Sequence, residues 1–513
     1  MKTILNFIKK NRNIILLIIS FVFLTMLVLG ITYAYFDLKT GGETESTMNI
    51  GGAEISATYS FSNSINITDA LPGNDVIAYK DITLTYKNTS SEEYKVYLKT
   101  VIDYSTFTNT ENDGVLYYDI YSGTDHSTLV QGKTIFPTIT SGKAILKEIS
   151  IPTNSTGTLN YRINFYFPES DKLQNPDGQL VLNASISVES DNSLKYTPTL
   201  LKKIDLMYQY ESGTNGLEQD DTTDKNIRYV GANPKNYVEF ANTEELWRIV
   251  GVFNVKDSTG KIERKIKLVR NESLGNFSWD ATGNDNHGFN DWTEADLKNE
   301  LNGDYLDTTL TANKTNWYNS YWDSSTNKPV LRQTGEFNYT NVIKSNYQNM
   351  ISESVWNMGG NTYSNPNTAP YGLPLLDQYN KERGTITFQN SRPTEWTGKV
   401  GLIYASDYGY ASTNSECREN LRAGVTYDKA NDKWDYTNGK CKTDNWLFKN
   451  SWYWTLSPYS GDSVGVFHVH GGGAVAYNSA SNSGRVLPAV FLKSDILIAS
   501  GTGEKESPYK LSL

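Results

Sequence analysis

The segment Trp454–Tyr477 reads WTLSPYSGDSVGVFHVHGGGAVAY, and what it forms decides the nature of the second half of this 513-residue chain. His468 and His470 stand two apart in an alternating run, so a strand would project both from one face. Paired metal ligands need that arrangement, yet no acidic residue adjoins at fixed spacing, and a third ligand would have to come from His287 or a distant carboxylate. Ser457 and Asp462 would complete a serine–histidine–acid set, but no G-x-S-x-G elbow surrounds the serine. The third reading is the strand pair of a binding fold. Trp454 and Leu456 alternate inward, Pro458 ends the strand, and Gly471 to Gly473 reverse the chain at positive φ. Trp247, Trp454 and the glycines then hold the fold. The ligand-binding candidates are the positions between them: Trp452, Tyr453, Tyr459, His468, His470 and Tyr477. No metal, cofactor or catalytic residue is expected.

Composition sets where such a fold works. Charged residues make up 20% and the formal net charge is −10, with no basic run beyond the first dozen residues, which argues against a nucleic-acid partner. The 35 Tyr and 11 Trp, beside 6 Met and 2 Cys, describe a ring-studded, β-rich surface suited to work outside the cell. Lys2, Lys9, Lys10 and Arg12 precede an uncharged run from Asn13 to Phe36, long enough to cross a bilayer core of roughly 30 Å as a helix. The cations hold its start in the cytoplasm. Thr32 and Ala34 are small residues at the −3 and −1 positions of a cleavage site before Tyr35. The run therefore reads as a signal cleaved between Ala34 and Tyr35, or as a retained membrane helix through residues 13–36. Either way the remainder is exported, to the extracellular face of the membrane or to the surface matrix. In that compartment Cys417 and Cys441 are expected to form a disulfide, the alternative being two buried thiols.

Residues 37–190 alternate at period two in short runs such as IAYKDITLTYK, YKVYLKTVIDY and LNYRINFYF, separated by Gly, Pro, Asn and Asp. This predicts an antiparallel sandwich in which Ile82, Leu84 and Tyr86 face inward while Asp81, Thr83 and Thr85 face water. The ordered blocks TYAYFD, MNIGG and LPGNDVIAYKDITLTYKNTSSEEYKVYLKT resemble the TasA/camelysin family of Gram-positive matrix proteins. That resemblance implies a jelly-roll-like sandwich whose freed N-terminal strand complements a neighbouring subunit and builds fibres, or a homo-oligomer. The metalloprotease label sometimes attached to the family does not carry over, because no H-E-x-x-H is present and His126 is this half's only histidine.

Residues 191–200 form a polar linker, and residues 201–513 mix periods in an α+β pattern. LLKKIDLMYQY opens with a helix. A second helix follows a capping box of Thr293 and Asp296, with Leu297, Leu301 and Tyr305 as its buried stripe. A third is predicted from about Asn341 to Asn357, carrying Ile343, Tyr347, Met350 and Ile351 on one side. Pro488 in GRVLPAVFL suggests a bulge or an edge strand. The blocks at Leu246 to Val252, Ile266 to Gly275, Trp292 to Leu306, Trp454 to Pro458 and Arg485 to Leu511 resemble, in this order, an uncharacterised domain of Gram-positive surface proteins. More distantly they resemble C-type-lectin-like folds. The E-P-N, Q-P-D and W-N-D motifs of calcium-dependent lectins are missing. The closely spaced cysteines of formylglycine-generating enzymes have no counterpart in Cys417 and Cys441.

The expectation is a multidomain surface or biofilm-matrix protein, in which a sandwich anchors or polymerises and an α+β lectin-like module captures a surface glycan or protein. An extracellular hydrolase and a ligand-free fibre subunit are the alternatives. The chain ends SPYKLSL without a sortase-type signal, so attachment is expected through the N-terminal helix or polymer contacts.

Overall fold

The computed structural model describes residues 46–513 apart from 51–52, 60–62, 69, 108–114, 137–141, 170–179, 191–197, 214–215, 364–371, 429 and 432. The membrane or signal run 13–36, with Ala34 and Tyr35, lies outside the described residues, as does most of the linker. Among the described residues no helix is long and apolar enough to cross a membrane. Strand accounts for 46% and helix for 14%, so the chain is β-rich, and it divides into two compact units between Tyr196 and Thr197.

The first unit is built from two antiparallel sheets. Six strands run in the order Ser46–Ile50, Ala53–Tyr59, Val76–Asn88, Ser155–Tyr166, Tyr117–Ser122 and Thr128–Ile135. Four more run Ser64–Ile67, Leu182–Glu189, Tyr94–Ser105 and Gly142–Ile151. Period-two alternation has the predicted consequence. Ile82, Leu84 and Ile163 of the first sheet and Leu98, Ile102 and Ile186 of the second are all essentially inaccessible and share one core. Thr85 is exposed, whereas Asp81 and Thr83 are only half-buried and are held by Arg162 and Asn160 on the neighbouring strand.

The second unit opens with the helix Leu200–Glu211, capped by the Thr199 hydroxyl, which accepts from the Lys202 amide. Its main sheet has nine strands. The path is Val400–Leu402, Pro488–Leu492, Ile262–Arg270, Leu246–Lys256, Tyr237–Glu239, Tyr509–Ser512 and Leu497–Ser500, with Leu217–Gln219 and Ile227–Tyr229 joined through Leu246–Lys256. A five-stranded sheet runs Asn276–Ser278, Ser483–Arg485, Tyr453–Pro458, Gly465–Val469 and Val475–Ser479. Pro488 makes neither an edge nor a bulge. It is the first residue of an interior strand, where its missing amide costs least.

Two helix predictions need correction. The helix after Trp292 spans only Asp296–Asn302, and no capping box forms. Thr293 donates to Asp291 at 2.6 Å, and Asp296 is engaged by the Ala281 amide at 2.8 Å. Its stripe of Leu297, Leu301 and Tyr305 is fully buried as predicted. The segment 341–357 is not one long helix but a short α-helix at Ser345–Gln348 followed by the strand Ser354–Asn357, which pairs with Glu395–Gly398. Ile343, Tyr347, Met350 and Ile351 are nonetheless buried, so the apolar spacing marked a core-facing segment rather than a helix.

A buried polar seam ties the main sheet to the helix Ala405–Tyr410. Asp407 receives Lys267 at 2.6 Å and Arg228 at 2.9 Å, and Arg228 also reaches Asp220 at 2.6 Å.

Candidate functional site

The strand Tyr453–Pro458 is buried on both faces rather than alternating. Trp454 donates its indole N–H to the Phe277 carbonyl at 3.0 Å and Thr455 donates to the Phe467 carbonyl at 2.6 Å, so the strand is tied to its neighbour Gly465–Val469 and to the outer strand Asn276–Ser278. Ser457 is no nucleophile. Its hydroxyl is buried, donates to Glu382 Oε1 at 2.5 Å and accepts from the Ala405 amide at 2.9 Å. Asp462 caps the turn by accepting from the Val464 and Gly465 amides, so the serine–histidine–acid reading fails on geometry.

The six predicted ligand residues separate into two groups. Tyr453 is inaccessible and donates its hydroxyl to the Leu447 carbonyl at 2.8 Å, and His468 is 3% exposed. Neither can touch a surface ligand, because both lie inside the five-stranded sheet. Burial pulls the His468 imidazole well below its ordinary value, helped by His470 and Arg422, so it is a neutral core residue. Trp452 is half-buried, with its ring against Gly484, 4.7 Å from Trp454 and 4.9 Å from His468. It serves packing. Both faces of this strand pair are covered.

Tyr459, Tyr477 and His470 form the second group, at the rim. The rings of Tyr459 and Tyr477 stack at 4.0 Å and 4°, and Tyr477, on the edge strand Val475–Ser479, remains 38% exposed. Tyr363 lies 5.7 Å from Tyr459 and 5.5 Å from Tyr477. His470 stacks on Tyr436 at 4.3 Å, and its Nδ1 accepts from the Gly472 amide at 3.0 Å. Burial holds the Tyr459 phenol up at about 12 and raises Tyr477 as well, so both hydroxyls stay neutral at physiological pH. Of the three glycines that turn the chain here, only Gly473 has positive φ, at 92°.

The sequence reading missed four neighbours of these rings: Tyr363, Arg422, Trp434 and Tyr436. Arg422 is 1% exposed beneath them. It donates to the Tyr363 hydroxyl at 2.9 Å and the Val475 carbonyl at 3.2 Å, with its guanidinium 4.3 Å from the Tyr363 ring and 4.8 Å from Trp434. Arg422, Trp434 and Tyr436 all lie between Cys417 and Cys441, which form the expected disulfide. Its one legible signal was a tryptophan and two tyrosines inside a hydrophilic loop. Among the described residues no group of histidine, cysteine and carboxylate side chains is arranged to hold a metal ion.

Together these features define a multidomain, β-rich, disulfide-bonded protein whose second unit carries a rim of neutral aromatic rings. No protein-family model matches the chain, and no curated protein matches it. A solved structure titled "AvmM Catalyzes Macrocyclization in Alchivemycin A Biosynthesis" is 12% identical over 26% of this chain and 92% of its own, with a TM-score of 0.11. A likeness of that size carries no argument about fold or chemistry.

Proposed function

We propose that this chain is an exported surface or matrix protein. Its first unit is a TasA-like, jelly-roll-like sandwich that anchors or polymerises, and its second is a lectin-like module that captures a surface glycan or protein through the rings of Tyr459, Tyr477 and His470. The observation carrying this reading is the parallel Tyr459–Tyr477 pair, left partly open on an edge strand and backed by a third tyrosine. A rigid ring platform with neutral hydroxyls offers stacking area plus hydrogen bonding at little entropic cost, which suits sugar faces and peptide side chains. The disulfide is consistent with an extracellular setting. Attachment would come from residues 13–36 if they are retained.

Glycan-array and cell-adhesion measurements on the full chain test the proposal. Wild type is expected to bind saturably. Tyr477→Ala and Tyr459→Ala are expected to weaken binding about tenfold or more while the far-UV spectrum stays unchanged. Undiminished retention by both variants would remove the site.

The fibre reading has one observation in its favour. Among the described residues Ser46–Ile50 is the edge of its sheet and pairs with a single neighbour, Ala53–Tyr59. Electron microscopy of the chain processed before Tyr35 tests it, with concentration-dependent filaments as the expected result.

A further inference from the structure

A cavity of about 260 Å³ opens on the nine-stranded sheet of the second unit, apart from the ring rim. Phe253 and Phe491 form apolar wall, Tyr379 and Tyr404 add ring and hydroxyl surface, and Lys267 and Arg383 bring the cations. Arg383 is the informative residue. Its guanidinium lies 3.5 Å from the centre of the Tyr379 ring, which fixes its plane, and its side chain is 20% exposed. The nearest carboxylate oxygens, on Glu382 and Asp224, are 3.7 and 3.8 Å away, beyond hydrogen-bond reach. Both acids are already engaged. Asp224 accepts the Tyr379 hydroxyl at 2.5 Å, and Glu382 takes Ser457, Ser406 and Gln378. The sole hydrogen bond of the Arg383 side chain among the described residues is to the Tyr379 carbonyl at 3.3 Å. Most of a planar donor fork is thus left facing the cavity. Deeper in, Lys267 Nζ sits 4.1 Å from the Tyr404 ring centre and 5.5 Å from that of Phe491, and burial pulls its ammonium down to about 8.

We propose that this cavity binds a small carboxylate carried on a single ring, with the carboxylate bidentate on Arg383 and the ring packed against the wall that Phe253 and Phe491 form together. The volume falls just below the roughly 300 Å³ at which drug-sized pockets begin, so it suits one ring rather than a chain. An acidic monosaccharide and an aromatic acid share this chemistry, and the assay separates them.

The test is titration calorimetry of the full chain with glucuronate, with 3-phenylpropionate and with the neutral amide 3-phenylpropionamide. Saturable binding of at least one acid at millimolar concentration, and none of the amide, is expected. Glucuronate alone would assign a sugar acid, and phenylpropionate alone an aromatic acid. Arg383→Gln should weaken the bound acid about tenfold or more. It lies outside the Lys267–Asp407 seam and is expected to fold. Val355→Phe, which fills the cavity from its wall, should abolish binding, while Tyr477→Ala should leave it unchanged. Absence of binding by both acids, or wild-type affinity in Arg383→Gln, overturns the proposal.

Discussion

Lys267 Nζ lies 2.6 Å from Asp407 Oδ2, with both side chains shut off from solvent, while the other Asp407 oxygen receives Arg228 at 2.9 Å. One carboxylate therefore bridges two buried cations from two strands of the main sheet, and Asp220, 2.6 Å from Arg228, supplies the second negative charge. Burial alone would raise the Asp407 value, but the Lys267 and Arg228 charges outweigh it and hold the carboxyl well below its usual range. The Tyr404 amide adds a donor at 3.0 Å, so the carboxylate also fixes the start of its own helix. Removing the charge strands Lys267 in a cage of aromatic rings. Asp407→Asn is expected to cost about 3–5 kcal/mol, read from urea unfolding. A loss below about 1 kcal/mol would mean that the seam contributes little.

Glu300 predicts an unusual pH dependence. It is 7% exposed, accepts from the Tyr318 amide at 2.9 Å through Oε1, and has no partner on Oε2 among the described residues. Burial, with Asp296 and Asp304 nearby, pushes its carboxyl up to about 9. Asp280 is likewise pushed to about 7 by burial and by Asp296. Unfolded carboxylates titrate near about 4, so between there and these values the folded chain holds protons that the unfolded chain releases. Stability therefore falls as pH rises through this window, by at most about 1.4 kcal/mol per pH unit for each group. Glu300→Gln keeps the acceptor for Tyr318 and removes one titration. Its unfolding free energy should exceed that of wild type at about pH 8 and vary less with pH. A pH profile parallel to wild type would contradict the assignment.

Gly484 separates fold from function at the five-stranded sheet. A Cβ there would stand 1.7 Å from the Trp452 ring, so Gly484→Ala must displace the indole from its contact with Trp454. The expected cost is about 1–3 kcal/mol of overpacking, seen as a lower melting temperature and a shifted tryptophan emission. Since Trp452 serves packing, ligand retention by the folded fraction should match wild type. Loss of retention at full stability would return Trp452 to the binding surface.

Most of the first unit was legible because its strands have one dry face and one wet face. Ile82 and Leu84 against Thr85 is a pattern that period two alone explains. The second unit was less legible where strands are covered on both sides. Nothing in YWTLSP or VFHVH distinguishes a residue facing a second layer from one facing water, which is why Tyr453 and His468 read as accessible rings. Between Asn341 and Asn357 the apolar spacing fitted a helix, but the pairing of Trp356 with Trp396, 40 positions away, decided the outcome. The ring rim was half visible. Tyr459, Tyr477 and His470 lie in one contiguous stretch, whereas Arg422, Trp434 and Tyr436 reach it only through a disulfide loop whose placement sequence spacing does not encode.

That loop supplies the last prediction. Cys417 and Cys441, 24 positions apart in sequence and fully buried, close the segment that carries Arg422, Trp434 and Tyr436. On the chain-entropy account a loop of this length stabilises the fold by about 3 kcal/mol. Its ends also pack into the core: Tyr408 donates to the Cys441 carbonyl at 3.0 Å, and Asn445 donates to the same carbonyl at 2.8 Å. The double variant Cys417→Ala, Cys441→Ala should therefore lower the second unit's unfolding midpoint by an equivalent of about 2–4 kcal/mol while the sandwich transition stays in place. It should also weaken ligand retention below melting, because Tyr436 stacks on His470 and Arg422 underlies Tyr363. Calorimetric scans resolve the stability effect, and retention assays at low temperature resolve the binding effect. If stability drops while retention holds, the loop braces the core without shaping the rim, and the ligand contacts rest on Tyr459 and Tyr477 alone.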